Sequence, residues 1–169
     1  MEKSLQSVSC VVLNNIRSCY NVGSILRTAE FFGVKKVYFV GVTPYPTLEF
    51  GDNRLPHIAQ KLDKQIQKVS LGAEGNLELE HFDNLDELIT KLKLEDFVVV
   101  GLEQDPAAVS LNDFKFNSKN TALVLGEETQ GLNSEELNLV DQIIEIPRIG
   151  EKESLNVSVA FGVAISRLN

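Results

Sequence analysis

The sequence predicts an α/β domain, built on a largely parallel six-stranded sheet with helices covering both faces. Short apolar runs alternate along the chain with stretches of helical periodicity. Several of those runs stop abruptly in a polar loop, as strands do at the end of a sheet that carries a site. At 169 residues, with no repeat, linker or low-complexity tract, the chain reads as one domain spanning 1–169 with room for a real core.

Taken in order, Val8 to Leu13 is the first strand, and a polar loop from Asn15 follows it. Val22, Ile25, Leu26, Ala29 and Phe32 then keep the i, i+3, i+4, i+7 rhythm of an amphipathic helix, with Asn21 where an N-cap belongs. Arg27 falls off that apolar stripe, where it could also be a plain surface residue paired with Glu30. Lys36 to Val40 is the second strand, and Thr43 to Arg54 is a loop rich in proline, glycine and aromatics. A helix runs from Pro56 through Lys68, and Leu77 to Phe82 forms the third strand. Asn84, with Glu87 three residues on, predicts a capping box for a helix that lines up Leu85, Leu88, Ile89 and Leu92. Phe97 to Gly101 is the fourth strand, and Glu103 to Asn120 is a second long loop that, like Thr43 to Arg54, is a candidate to border a site. Thr121 to Leu125 is the fifth strand, ending at Gly126; Ser134 caps a short helix to Val140; Gln142 to Ile146 is the sixth strand. Ser154 caps the final helix, which is apolar nearly all round through Leu155, Val157, Val159, Ala160, Phe161, Val163, Ala164 and Ile165. Such a helix needs burial on every side, either inside the domain or at a subunit interface.

The formal net charge of −8 is unevenly spread: residues 1–68 carry +4 and the remainder −12. That asymmetry is compatible with a basic face for a polyanion, carried by residues such as Lys61, Lys64 and Lys68, on an acidic body. Cys10 lies in an apolar run, and neither it nor Cys19 has a histidine near in sequence to serve as a base. His57 at a helix start and His81 in a strand read as ordinary residues. No signal peptide or membrane-length apolar run is visible, so a cytoplasmic protein is expected.

Three segments concentrate the polar residues: the stretch from Asn15 to Gly33, ALVLGEETQGL from Ala122, and IPRIGEKESLN from Ile146. The spacing of Gly126 and Gly131 mimics a phosphate loop, but Leu132 and Asn133 stand where lysine and Ser/Thr are required, which argues against nucleoside triphosphate chemistry. No GxGxxG follows the first strand, so a dinucleotide fold is also unsupported. No metal-ligand cluster or nucleophile triad accompanies these residues, and no metal is expected.

Together the three segments resemble the three motifs of the SpoU/TrmH family of the SPOUT superfamily, RNA ribose 2′-O-methyltransferases. Asn15, Arg17, Asn21, Gly23, Arg27 and Gly33 are similar to the first motif, Gly126, Glu127 and Gly131 to the second, and Pro147, Gly150, Ser154, Leu155 and Asn156 to the third. KVSLGAE, Lys68 to Glu74, resembles a segment that recurs between motifs one and two. The resemblance implies a C-terminal deep trefoil knot, a homodimer, S-adenosyl-L-methionine as cofactor and tRNA or rRNA as substrate. It places Gly101, Leu102, Gly126, Ile146 and Leu155 against the cofactor; Arg17, with Lys61, Lys64 and Lys68 of the basic face, is expected to contact RNA. Arg27 matches the arginine that activates the 2′-hydroxyl, although a guanidinium with pKa above ~12 suits phosphate and alkoxide stabilisation better than proton abstraction. Asn21 and Asn156 are expected to fix the ribose and Arg27, Glu127 to orient Asn21 or an arginine, and Ser154 either to bond near the substrate or only to cap its helix. No N-terminal RNA-binding extension precedes the first strand in this reading. Two rivals remain at this level, a non-catalytic RNA-binding protein of the same fold and a nucleotide-binding hydrolase.

Overall fold

A computed structural model describes residues 7–117 and 120–169. The strands are β1 (Ser7–Asn14), β2 (Lys36–Val40), β3 (Glu78–Phe82), β4 (Val98–Leu102), β5 (Val109–Ser110), β6 (Asn120–Leu125) and β7 (Gln142–Glu145). They form one sheet in the order β3-β2-β1-β6-β4-β7-β5, and every pairing is parallel. The described sheet therefore has seven strands and not six. The added one, β5, is two residues long and pairs only with the edge of β7, too short to show any period within the segment read as loop.

Among the described residues five α-helices cover the sheet: α1 (Cys19–Phe31), α2 (Pro56–Ser70), α3 (Leu85–Leu94), α4 (Ser134–Leu137) and α5 (Val157–Leu168). Successive strand residues point to opposite faces, which divides the core in two. Val11, Leu13, Val37, Phe39, Leu123 and Leu125 meet Ile25, Leu26, Ile66 and Phe161 of α1, α2 and α5. Cys10, Val12, Tyr38, Val40, Ala122 and Val124 meet Leu85, Leu88, Ile89 and Leu92 of α3, with Leu137 of α4 beside them. Burying a side chain such as Leu88 or Phe161 completely contributes about 1.5–3 kcal/mol, so these two layers fix the sheet's register.

The helix starts differ from the sequence reading in a consistent way. Ser18, not Asn21, caps α1, its hydroxyl accepting from the Asn21 N–H at 3.3 Å. Asn133 caps α4 in a reciprocal box with Glu136, one residue before the expected Ser134, and the helix ends at Leu137. Asn156 caps α5, accepting from Ser158 and Val159, so Ser154 lies outside the helix. Asn84 does hold the α3 cap position, but neither its side chain nor Glu87 forms the expected box. In α5 the expected all-round burial is not reached within one chain. Phe161, Ala164, Ile165 and Leu168 are buried, whereas Val159 and Val163, one turn apart, are half exposed, as is Leu155 just before the helix.

Candidate active site

Because every strand is parallel, the loops leaving β1, β2, β4, β6 and β7 emerge at one end of the sheet, the end where α/β folds place ligands. The loops after β1 and β2 are stitched together there. Asn15, with φ 55°, accepts from the Val42 N–H through its Oδ1 at 3.2 Å, and the Ile16 N–H donates to Thr43 Oγ1 at 3.1 Å. This fixes the entry to α1, and with it Asn21, which is 6% exposed.

A continuous polar chain then joins three distant segments. Glu128 accepts from the Arg17 N–H and the Ser18 N–H, each at 3.1 Å, and from the Asn21 amide at 3.0 Å. Asn21 Oδ1 accepts from Asn156 Nδ2 at 3.1 Å, and Asn156 Oδ1 accepts from the first turn of α5. Partial burial disfavours the Glu128 carboxylate, yet the bonds from Arg17, Asn21 and Ser18 outweigh it and hold its pKa below the ordinary value. The site thus contains a fixed negative charge that orients two amides.

Beside this chain lies a cleft of about 480 Å³, bounded by the loops after β4, β6 and β7. Leu102, Leu125, Gly126, Ile146, Leu155 and Val157 supply much of its apolar wall, and Glu103, Arg148 and Lys152 are among its charged groups. The volume falls in the ordinary range for a nucleoside-sized ligand. A clasp holds the three loops together. Glu103 accepts from the Leu132 N–H at 2.8 Å through Oε2, and Gln104 Nε2 donates to the Glu153 carbonyl at 2.8 Å. Gly131, at φ +66°, is required where Glu103 closes on the loop, since a Cβ there would overlap the carboxylate.

The model of the SpoU rRNA Methylase family matches residues 9–166. The chain belongs to the SpoU rRNA methylase family. It is 26% identical over 159 residues to the tRNA (guanosine(18)-2′-O)-methyltransferase of Borreliella burgdorferi, covering 93% of this chain and 64% of that protein. It is 30% identical over 155 residues to the 23S rRNA (guanosine-2′-O-)-methyltransferase of Bordetella pertussis, covering 92% of this chain and 56% of that protein. The chain therefore spans under two thirds of the length of these relatives. The fold matches the SpoU methyltransferase AviRb from Streptomyces viridochromogenes, solved with AdoMet, at a TM-score of 0.77 and 23% identity over 96% of this chain and 57% of that one.

Within this SpoU domain the sequence-selected residues separate into groups. Asn21 and Asn156 are in direct contact, and Leu102, Gly126, Ile146, Ser154 and Leu155 line the cleft. Gly101 does not line it: a Cβ there would face Leu132 and Val140 on the opposite side of the sheet. Gly126, which lines the cleft, is also required by the neck of its own loop, where a Cβ would lie 2.3 Å from the Gly131 carbonyl carbon. The orienting role expected of Glu127 toward Asn21 belongs to Glu128. Glu127 pairs with Gly131 across the turn and reaches Arg17 at 3.8 Å, an arginine with a largely exposed side chain. Arg27 is exposed and its side chain makes no hydrogen bond or ion pair among the described residues; Glu30 accepts from Asn76 instead. Lys61, Lys64 and Lys68 are exposed on one stripe of α2, away from the cleft. His81 stacks on Tyr45 and bonds to the Gly41 carbonyl, outside the polar chain. Among the described residues no group of three or more His, Cys, Asp or Glu could hold a metal ion, and no helix is long and apolar enough to cross a membrane. Sequence reasoning missed Glu128, Glu103 and Gln104, which carry no pattern distinguishing them from surface acids and amides.

Proposed function

We propose that the chain transfers a methyl group from S-adenosyl-L-methionine to a ribose 2′-hydroxyl of tRNA or rRNA. The observation that carries this is the Glu128–Asn21–Asn156 chain beside the cleft, with Arg27 unpartnered on the helix that bears Asn21. The residues present fit the cofactor: a cleft of nucleoside size, with an apolar wall, main chain at Gly126 and ionic side chains for a charged amino-acid end. Leu102, Gly126, Ile146 and Leu155 would hold it, and bound there it would supply an activated methyl group on a sulfonium. No metal is needed for that transfer.

The chain's own residues do the rest. Arg27, with no partner to release, holds an RNA phosphate and stabilises alkoxide charge as the hydroxyl loses its proton to a phosphate oxygen or water. Asn21 and Asn156, each committed to a fixed neighbour, present their remaining polar groups to the ribose in one orientation, which supplies the alignment an in-line transfer requires. Arg17, Lys61, Lys64 and Lys68 take up the RNA backbone.

The protein acts in the cytoplasm as a homodimer, a reading supported by the half-exposed apolar row Leu155, Val159 and Val163. A C-terminal knot is supported by the path of the chain: β7 lies two strands beyond β6, yet α5 returns to pack on α1 and β1. Incubation with radiolabelled cofactor and separated tRNA and rRNA, followed by nuclease mapping, tests the function. Absence of 2′-O-methyl nucleotides in both RNA fractions would refute it.

A further inference from the structure

The loop between β2 and α2 is built with more care than a connector requires. Its tip, Glu49–Phe50–Gly51, is closed at the base by Asp52, whose carboxylate accepts from the Leu48 N–H and the Arg54 N–H at 3.1 Å each. Arg54 clamps the same carboxylate through Nε at 2.9 Å and Nη2 at 2.6 Å, and also donates to the Tyr45 and Pro46 carbonyls. The Arg54 guanidinium lies 3.5 Å over the Tyr45 ring, which also stacks on the His81 ring at 4.5 Å and packs against Phe39 at 5.8 Å. The Arg54 side chain holds the Asp52 carboxyl well below the usual carboxylate range, so the latch stays ionised. Thr47 N–H donates to Asp63 of α2, which fastens the loop to that helix.

This pinned frame displays a phenylalanine in water. Phe50 is 83% exposed, and Leu55 and Ile58, which follow it into α2, are also exposed. On α2 the next residues outward are Lys61, Lys64 and Lys68, exposed at i, i+3, i+7 and without ion pairs among the described residues. The loop leaves the same end of the sheet as the polar chain, and it is bonded to the loop after β1 through Asn15 and Thr43. An exposed aromatic on a pinned loop fastened to a helix of unpaired cations is an arrangement that binds single-stranded nucleic acid: the ring stacks a base and the cations follow the phosphates.

We infer that the Glu49–Phe50–Gly51 tip is a base-stacking contact for an unpaired RNA nucleotide flanking the target, with Lys61, Lys64 and Lys68 holding the adjoining backbone. The inference rests on the RNA-methylation reading. Its occupant is RNA and not a second copy of the chain because Lys61, Lys64 and Lys68 have no ion pair among the described residues, while the nearby acids are engaged, Asp52 with Arg54 and Asp63 with Thr47 and Gln67, which leaves Glu49 as the tip's one acid.

The test measures binding of a fluorescent single-stranded RNA of about 12 nucleotides, with its duplex as control, to the full chain. Wild type binds the single strand with salt-dependent affinity; Phe50→Ala weakens that binding about fivefold or more and leaves the salt slope unchanged, as loss of one stacked base requires. Phe50→Tyr keeps the ring and the affinity, whereas Phe50→Leu keeps apolar bulk and loses it. Salt-dependent wild-type binding with Phe50→Ala within about twofold of it would overturn the stacking contact and leave the RNA reading standing. Unchanged RNA affinity with a smaller mass in light scattering would also overturn it and make the tip a contact between copies. Failure of wild type to bind either RNA would remove the RNA reading itself.

Discussion

At the scale of single residues, the site depends on which of two adjacent acids faces inward. Glu127 and Glu128 are indistinguishable in sequence, and only the turn closed by Gly131 sends Glu128 to the start of α1 and Glu127 toward Arg17. Asn21 and Asn156 were legible through their match to the first and third family motifs, whereas Glu128, an acid in an acidic body, carried no assigned role. The depressed Glu128 pKa has a stability consequence with a definite sign. Its contribution is fully present above the ordinary glutamate value, ~4.3, and is lost as pH falls from there through the lower folded value. Urea unfolding of wild type and Glu128→Gln should therefore show wild type more stable at neutral pH, with the gap closing on acidification below that range. Arg27 is a different case, exposed and unpartnered, so its replacement leaves the fold alone. Arg27→Lys keeps the charge but not the planar fork, and methyl transfer should fall at least ~100-fold in single-turnover assays at saturating RNA, with cofactor affinity unchanged. Near-wild-type transfer in both Arg27→Lys and Arg27→Ala would return Arg27 to the surface.

At the scale of elements, helix bodies were readable and their first turns were not. Periodicity locates α1, α4 and α5 within a few residues, but Ser18, Asn133 and Asn156 became the caps in place of Asn21, Ser134 and Ser154. Several residues able to cap stand close together at each start, and the choice depends on where the preceding loop leaves the backbone extended. Asn133→Ala should cost about 1 kcal/mol in urea unfolding and Ser134→Ala only a few tenths, the reverse of what the sequence suggests. The loops obey a similar logic. Glu103 and Gln104 bind the loops after β6 and β7 to the end of β4, so Glu103→Ala should loosen the cleft without exposing core. Calorimetry should find cofactor affinity reduced about tenfold or more, the scale of a lost hydrogen bond to a charged group, while thermal unfolding of the free protein changes little. Equal losses in both measurements would make Glu103 structural only.

At the scale of the molecule, alternation of apolar runs with helices was enough for a parallel sheet with both faces covered, but not for a two-residue edge strand or for the order of the strands. Strand order is set by the crossovers, and nothing local records which edge a helix returns to. The surface of α5 shows the same limit: its composition demanded burial, and only the structure separates the covered stripe from Val159 and Val163. Val159→Asp with Val163→Asp should convert a species of twice the chain mass into one of single mass by light scattering, and a wild-type monomer would end the dimer reading. The contact between Asn21 and Asn156, separated by 135 residues, adds a matter of timing. During synthesis the sheet's first strands and α1 can form long before α5 exists, yet Asn21 then has no partner on its carbonyl side. Closing so long a loop adds little cost per further residue, so nothing in the fold hurries that meeting. A nascent chain that has already buried most of its core is still chemically silent, and function waits for α5 to emerge and bring Asn156 to Asn21.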